Sequence, residues 1–173
     1  MASYYYLMSS LPMLKADGEM PFPYDTFLQM CRTNVSAERY QQLAQLSLAS
    51  EEGPLVSEWA QFYKALQQEM AYQRNQRLGR PAQLPAQRDD TAQRAVNAAM
   101  SEKNPLEAEK MLLEMEFEKL DALVNLHYFD EAALVGYALK LKLLERKTVF
   151  HHDGGKAELQ RILNGLEQQI MNI

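Results

Sequence analysis

Apolar residues recur along this chain at intervals of three and four, the repeat of a helix with one buried face. The clearest stripe is Trp59, Phe62, Tyr63, Leu66 and Met70, at i, i+3, i+4, i+7 and i+11. It predicts a long helix opened by Gly53-Pro54 and running to about Gly79. The next positions on the stripe are Gln73 and Arg77, so the last two turns are expected to project beyond the core. Upstream, Tyr24 to Arg32 reads as a short helix, and Ser36 caps another from Ala37 to about Ala49. Downstream, Asp89 or Asp90 caps a helix carrying Ala92, Val96, Ala99 and Met100. Asn104-Pro105-Leu106-Glu107 supplies a capping amide, a proline at the first position and a glutamate at the third, and starts a helix reaching about Leu126. Two more helices follow, Asp130 to Lys147 and about Lys156 to Ile170. Tyr4-Tyr5-Tyr6-Leu7-Met8 has strand-like content, but one strand cannot make a sheet. It is expected to lie extended on the helices until Leu11-Pro12. Lys15 to Pro23 and Arg80 to Arg88 read as loops.

The pattern predicts an all-α single domain of six or seven helices with an extended N-terminal segment and a projecting helix-loop region near 73–90. Trp59, Phe62, Leu66, Leu113, Phe117, Leu120, Leu134 and Leu141 are its expected core.

The helix from Asp130 to Lys147 is apolar on two sides. Leu134, Tyr137, Ala138, Leu141 and Leu144 make a broad face, and Val135, Leu139 and Leu143 form a strip roughly opposite. Lys140 and Lys147 border the strip on one side, Lys142 and Arg146 on the other. Such a helix is either sandwiched inside its own domain or half-buried against a partner. In the second case Leu139 and Leu143 anchor the partner, and Lys140, Lys142, Arg146 and Lys147 meet its acidic groups.

Composition narrows the function. A chain of 173 residues with 47% hydrophobic and 24% charged residues folds without metals or disulfides. Its net charge of −5 lacks the basic footprint of a nucleic-acid binder. The single cysteine, Cys31, fits a reducing compartment and reads as a buried, inert thiol. Neither a signal peptide nor a membrane span is readable, so a cytoplasmic protein with no direct membrane insertion is expected. His151-His152-Asp153 sits in a glycine turn, and adjacent side chains there do not converge on one ion. Asp153-Gly154-Gly155-Lys156 lacks phosphate-loop spacing. Glu109, Glu116 and His127 share a helix side but stand about 10 and 16 Å apart along its axis. Glu107, Glu114, Glu118 and Asp121 form a second line, either a solvated face or a docking stripe for a basic partner. The arginines from Arg74 to Arg94 read as a soluble loop region or a contact for an anionic protein. No catalytic constellation, cofactor motif or metal site is assembled, so a non-enzymatic protein is expected.

Two blocks carry a family resemblance. One is Tyr5-Tyr6-Leu7 with Ser10-Leu11-Pro12. The other is Phe129, Asp130, Ala133, Leu134, Tyr137, Ala138 and the run from Lys140 to Arg146, then Phe150 and Gly155. In these the chain resembles a bacterial family encoded alongside V/A-type ATPase genes, itself distantly similar to the all-helical socket subunit of those ATPases. The resemblance implies a helical subunit, accessory protein or assembly factor, peripheral to the inner membrane through the complex, with ATPase subunits as partners. The alternative is a free-standing cytoplasmic helical adaptor.

Overall fold

The computed structural model describes residues 4–85, 88–148 and 160–164. Four of the helices begin where a side chain satisfies one or more of the first free amides. Ser36 Oγ accepts from Arg39 N at 3.2 Å, and Asp89 Oδ1 accepts from Thr91 N and Ala92 N at 2.9 and 2.8 Å. Asn104 Oδ1 accepts from Leu106 N, and Asp130 Oδ1 from Ala133 N, both at 3.1 Å. Each such cap stabilises its helix by about 1 kcal/mol. The elements are α1 (Tyr5–Ser10), α2 (Tyr24–Arg32), α3 (Ala37–Gln45), α4 (Pro54–Arg77), α5 (Asp90–Ser101), α6 (Pro105–Val124) and α7 (Glu131–Thr148). Residues 160–164 are also helical, and the described residues contain no strand. The fold is all-α. The His151-His152-Asp153-Gly154-Gly155-Lys156 turn and most of the last expected helix lie outside the described residues.

Helix α6 packs on α4, α5 and α7, while α7 also touches α4 and α2, and α2 pairs with α3. All eight residues expected in the core are buried. At about 25 cal/mol per Å² of apolar surface, this shared core dominates the stability.

Three expectations change. The N-terminal segment is not extended at Tyr5 to Ser10 but forms two turns of helix. With no neighbouring strand, its backbone groups find partners locally: Met8 N donates to Tyr4 O at 2.8 Å, and Ser10 Oγ to Leu7 O at 2.7 Å. Leu7 points into the core, and the chain becomes extended only at Leu11. Second, α3 stops at Gln45. Trp59 Nε1 donates to Leu48 O at 3.0 Å, and this holds the following residues in an irregular path over the buried indole. Third, the polar end of α4 does not project freely, because α5 lies beside it. Gln73 Nε2 donates to Glu69 Oε1 at 3.0 Å and to Asn97 Oδ1 at 2.5 Å, and Arg77 donates to Met100 O. Polar contacts replace the apolar stripe, and the exposed tip shrinks to the loop after Arg77, where Leu78 and Leu84 are exposed.

Candidate functional site: an aromatic corner

The strip expected to anchor a partner is part of the core. Leu139 and Leu143 have no exposed surface. Helix α7 is the sandwiched helix of the two readings, because α2, α4 and α6 surround it. Its four basic residues are spoken for within the chain. Lys140 pairs with Asp121 across the α6–α7 hairpin at 2.5 Å, and Lys142 with Glu145 at 3.0 Å. The Lys142 ammonium also lies 3.8 Å from the centre of the Tyr24 ring. Lys147 Nζ donates to the carbonyls of Ala16 and Gly18, both at 3.0 Å, and pins the 15–20 loop. Arg146 makes a two-pronged pair with Glu116, whose oxygens accept at 3.0 and 2.5 Å, and Tyr63 Oη lies 3.5 Å from the guanidinium.

Glu116 is only 1% exposed. Burial pushes its carboxyl above the ordinary range against the pull of Arg146, and Glu109 adds to the push. Burial works against the Arg146 charge too, but Glu116 and then Tyr63 outweigh it and hold the guanidinium protonated. Glu109, Glu116 and His127 do not converge. Glu116 belongs to Arg146, while His127 pairs with Asp130 at the surface. Burial disfavours the Asp130 carboxylate, yet His127 and the amides of Ala133 and Ala132 prevail and lower its pKa below the usual value. Glu107, Glu114, Glu118 and Asp121 are all exposed. Among the described residues no three His, Cys, Asp or Glu side chains are grouped to hold a metal. No helix there is long and apolar enough to cross a membrane.

The exposed aromatic rings among the described residues gather in one place. Helix α6 ends in a tight corner in which His127 N donates to Val124 O at 2.9 Å. Asn125 takes φ +43°, a conformation asparagine tolerates better than most residues. The corner turns the chain so that Phe129 meets α1, with Tyr128 beside it. Tyr4 N donates to Phe129 O at 2.8 Å, fixing α1 against the corner. A continuous chain of rings results. Tyr6 meets Tyr5 edge-on at 5.6 Å, Tyr5 meets Phe129 at 4.7 Å, and Phe129 meets Tyr128 at 6.4 Å. All four are exposed, Tyr6 to 85% and Tyr128 to 63%, and Leu126 in the same corner to 75%. A contiguous group of large apolar side chains on a surface marks an interaction site more often than scattered ones do.

Beside the rings lies a cleft of about 300 Å³. Leu55, Val56 and Val135 supply its apolar lining, and Glu52, Asp130 and Glu131 its acidic groups. Arg39 pairs with Glu131 there, and Glu52 has no ion-pair partner among the described residues. Sequence reading missed this site because it placed the tyrosines of the first segment flat on the helices. The available signal was adjacency. Three consecutive tyrosines cannot all face the interior of one short helix, and Tyr128-Phe129 falls in a connection too brief to bury both rings.

Comparison with known proteins finds no matching family model, curated protein or solved structure.

Proposed function

We propose that this protein is a non-enzymatic helical subunit, accessory protein or assembly factor of a bacterial V/A-type ATPase, working by holding protein partners. The observation that supports this reading is spatial. The described residues of the two blocks that carry the family resemblance, far apart in sequence, meet in the fold. Tyr4 N meets Phe129 O at 2.8 Å, and Tyr137 Oη donates to Pro12 O at 3.2 Å. The Tyr5 and Phe129 rings touch. Residues of both blocks therefore meet in one body, and three rings of the exposed aromatic corner, Tyr5, Tyr6 and Phe129, belong to it. Large apolar side chains held at a surface by a rigid scaffold suit partner docking, where a few aromatic anchors carry most of the affinity.

The test is affinity purification of the tagged full chain from its native cell, with mass spectrometry of the recovered proteins. V/A-type ATPase subunits are expected, and their recovery should fall when Tyr6 and Tyr128 are both changed to Ser. Recovery of some other protein, with ATPase subunits absent, would favour the free-standing adaptor and end the ATPase reading.

A further inference from the structure

We infer that the aromatic corner and its neighbouring cleft bind a protein segment that carries a lysine or arginine next to a large apolar side chain. The inference rests on the corner being a partner-binding surface, not on which complex the partner belongs to. Charge decides the chemistry. In the cleft the acidic side chains Glu52, Asp130 and Glu131 face Arg39 as the one lysine or arginine of its lining, and that residue is already paired with Glu131. His127 is the other possible cation, and it is committed to Asp130. Glu52 remains without an ion-pair partner among the described residues. An acidic segment or an anionic lipid surface would meet repulsion here. A lysine or arginine would not. Its aliphatic stem matches Leu55, Val56 and Val135, while its head reaches the carboxylates.

The rings add to the same preference. Tyr5, Tyr6, Tyr128 and Phe129 offer exposed π-faces or edges, and aromatic faces attract guanidinium and ammonium groups as well as apolar side chains. Tyr4 is shared ground, since it lines the cleft and precedes the first exposed ring. A ligand segment can therefore place its apolar residue on the rings and its cation in the cleft at once. The apolar contact supplies affinity, and the acidic groups supply orientation and a salt-sensitive association.

The experiment uses the purified full chain and a display library of random dodecapeptides. Selected sequences should be enriched in Arg or Lys next to Leu, Phe, Tyr or Trp. A representative peptide should lose about tenfold or more in affinity on the double change Tyr6→Ser and Tyr128→Ser. It should lose affinity also on Glu52→Lys, and on raising salt to about 0.5 M. Both aromatic positions are exposed, and circular dichroism should show the variants folded. Peptides that depend on Tyr6 and Tyr128 but carry acidic residues would overturn the charge assignment and leave the docking surface standing. Peptides insensitive to Tyr6, Tyr128 and Glu52, or no selected peptide at all, would overturn the inference together with the docking role of the corner. Tighter binding to phosphatidylglycerol vesicles than to any basic peptide would overturn it in favour of a membrane contact.

Discussion

Gly136 stands in the middle of α7, where glycine costs about 1 kcal/mol relative to alanine. Its place is explained by Val124 on the neighbouring helix. A Cβ at position 136 would come within 2.2 Å of a Val124 methyl group. Val124 is branched at Cβ and has few rotamers with which to retreat. Gly136→Ala is therefore expected to destabilise the chain by about 1–3 kcal/mol despite its better helix propensity. Adding Val124→Ala should recover most of the loss, which urea denaturation of the four variants in a mutant cycle would measure. Cys31 makes a second case. It is fully buried, and burial pushes its thiol up to about 12. The reactive thiolate is thus scarce in the native state at pH 7 to 9. Iodoacetamide labelling followed by mass should stay slow across that range and become rapid on unfolding. Fast native labelling would mean that the α2 packing opens readily.

At the scale of elements, charge joins helices that apolar contacts alone would leave free to slide. The Glu116–Arg146 pair links α6 to α7, and its buried partner is the carboxylate. Arg146→Met strands that carboxylate and should cost about 3 kcal/mol or more. Arg146→Met with Glu116→Leu should cost much less, because the uncompensated charge goes with it; thermal unfolding of both variants decides. The joint between α4 and α5 is different. It is built at its far end from Gln73, Asn97 and Arg77, and the connecting loop carries exposed Leu78 and Leu84. Pro81 blocks trypsin after Arg80, so brief treatment should cut first after Arg88, leaving two fragments that remain associated through α4, α5 and α6. First cleavage within α4 would show that the polar joint frays.

For the whole molecule, the decisive contrast is between two apolar surfaces. Leu143 is buried among packed helices, whereas Tyr6 is exposed. Leu143→Asp places an unpaired charge in the core and should exceed much of the roughly 5–15 kcal/mol that holds a domain together. The isolated variant is expected to lose its cooperative unfolding transition by circular dichroism. Tyr6→Ser should shift stability by no more than about 0.5 kcal/mol. A folded Leu143→Asp chain would return the α7 strip to candidacy as an interface.

The sequence by itself determined the all-α class, the starts of α3 to α7, and the eight expected core residues. Those properties are local, set by a capping side chain or by a 3.6-residue repeat that persists whatever the helix packs against. Only the tertiary structure decided which apolar faces meet each other and which meet water. The stripe on α7 looks the same in sequence whether its cover comes from the same chain or from another. It took the positions of α2, α4 and α6 to bury Leu139 and Leu143, and those of Asp121, Glu116 and the 15–20 loop to occupy Lys140, Arg146 and Lys147. The α1 helix has the same origin. Tyrosine-rich segments become strands when a neighbouring strand is available, and here the neighbour is a corner more than a hundred residues away. Burial is a property of pairs of elements, and a single periodicity describes one element at a time.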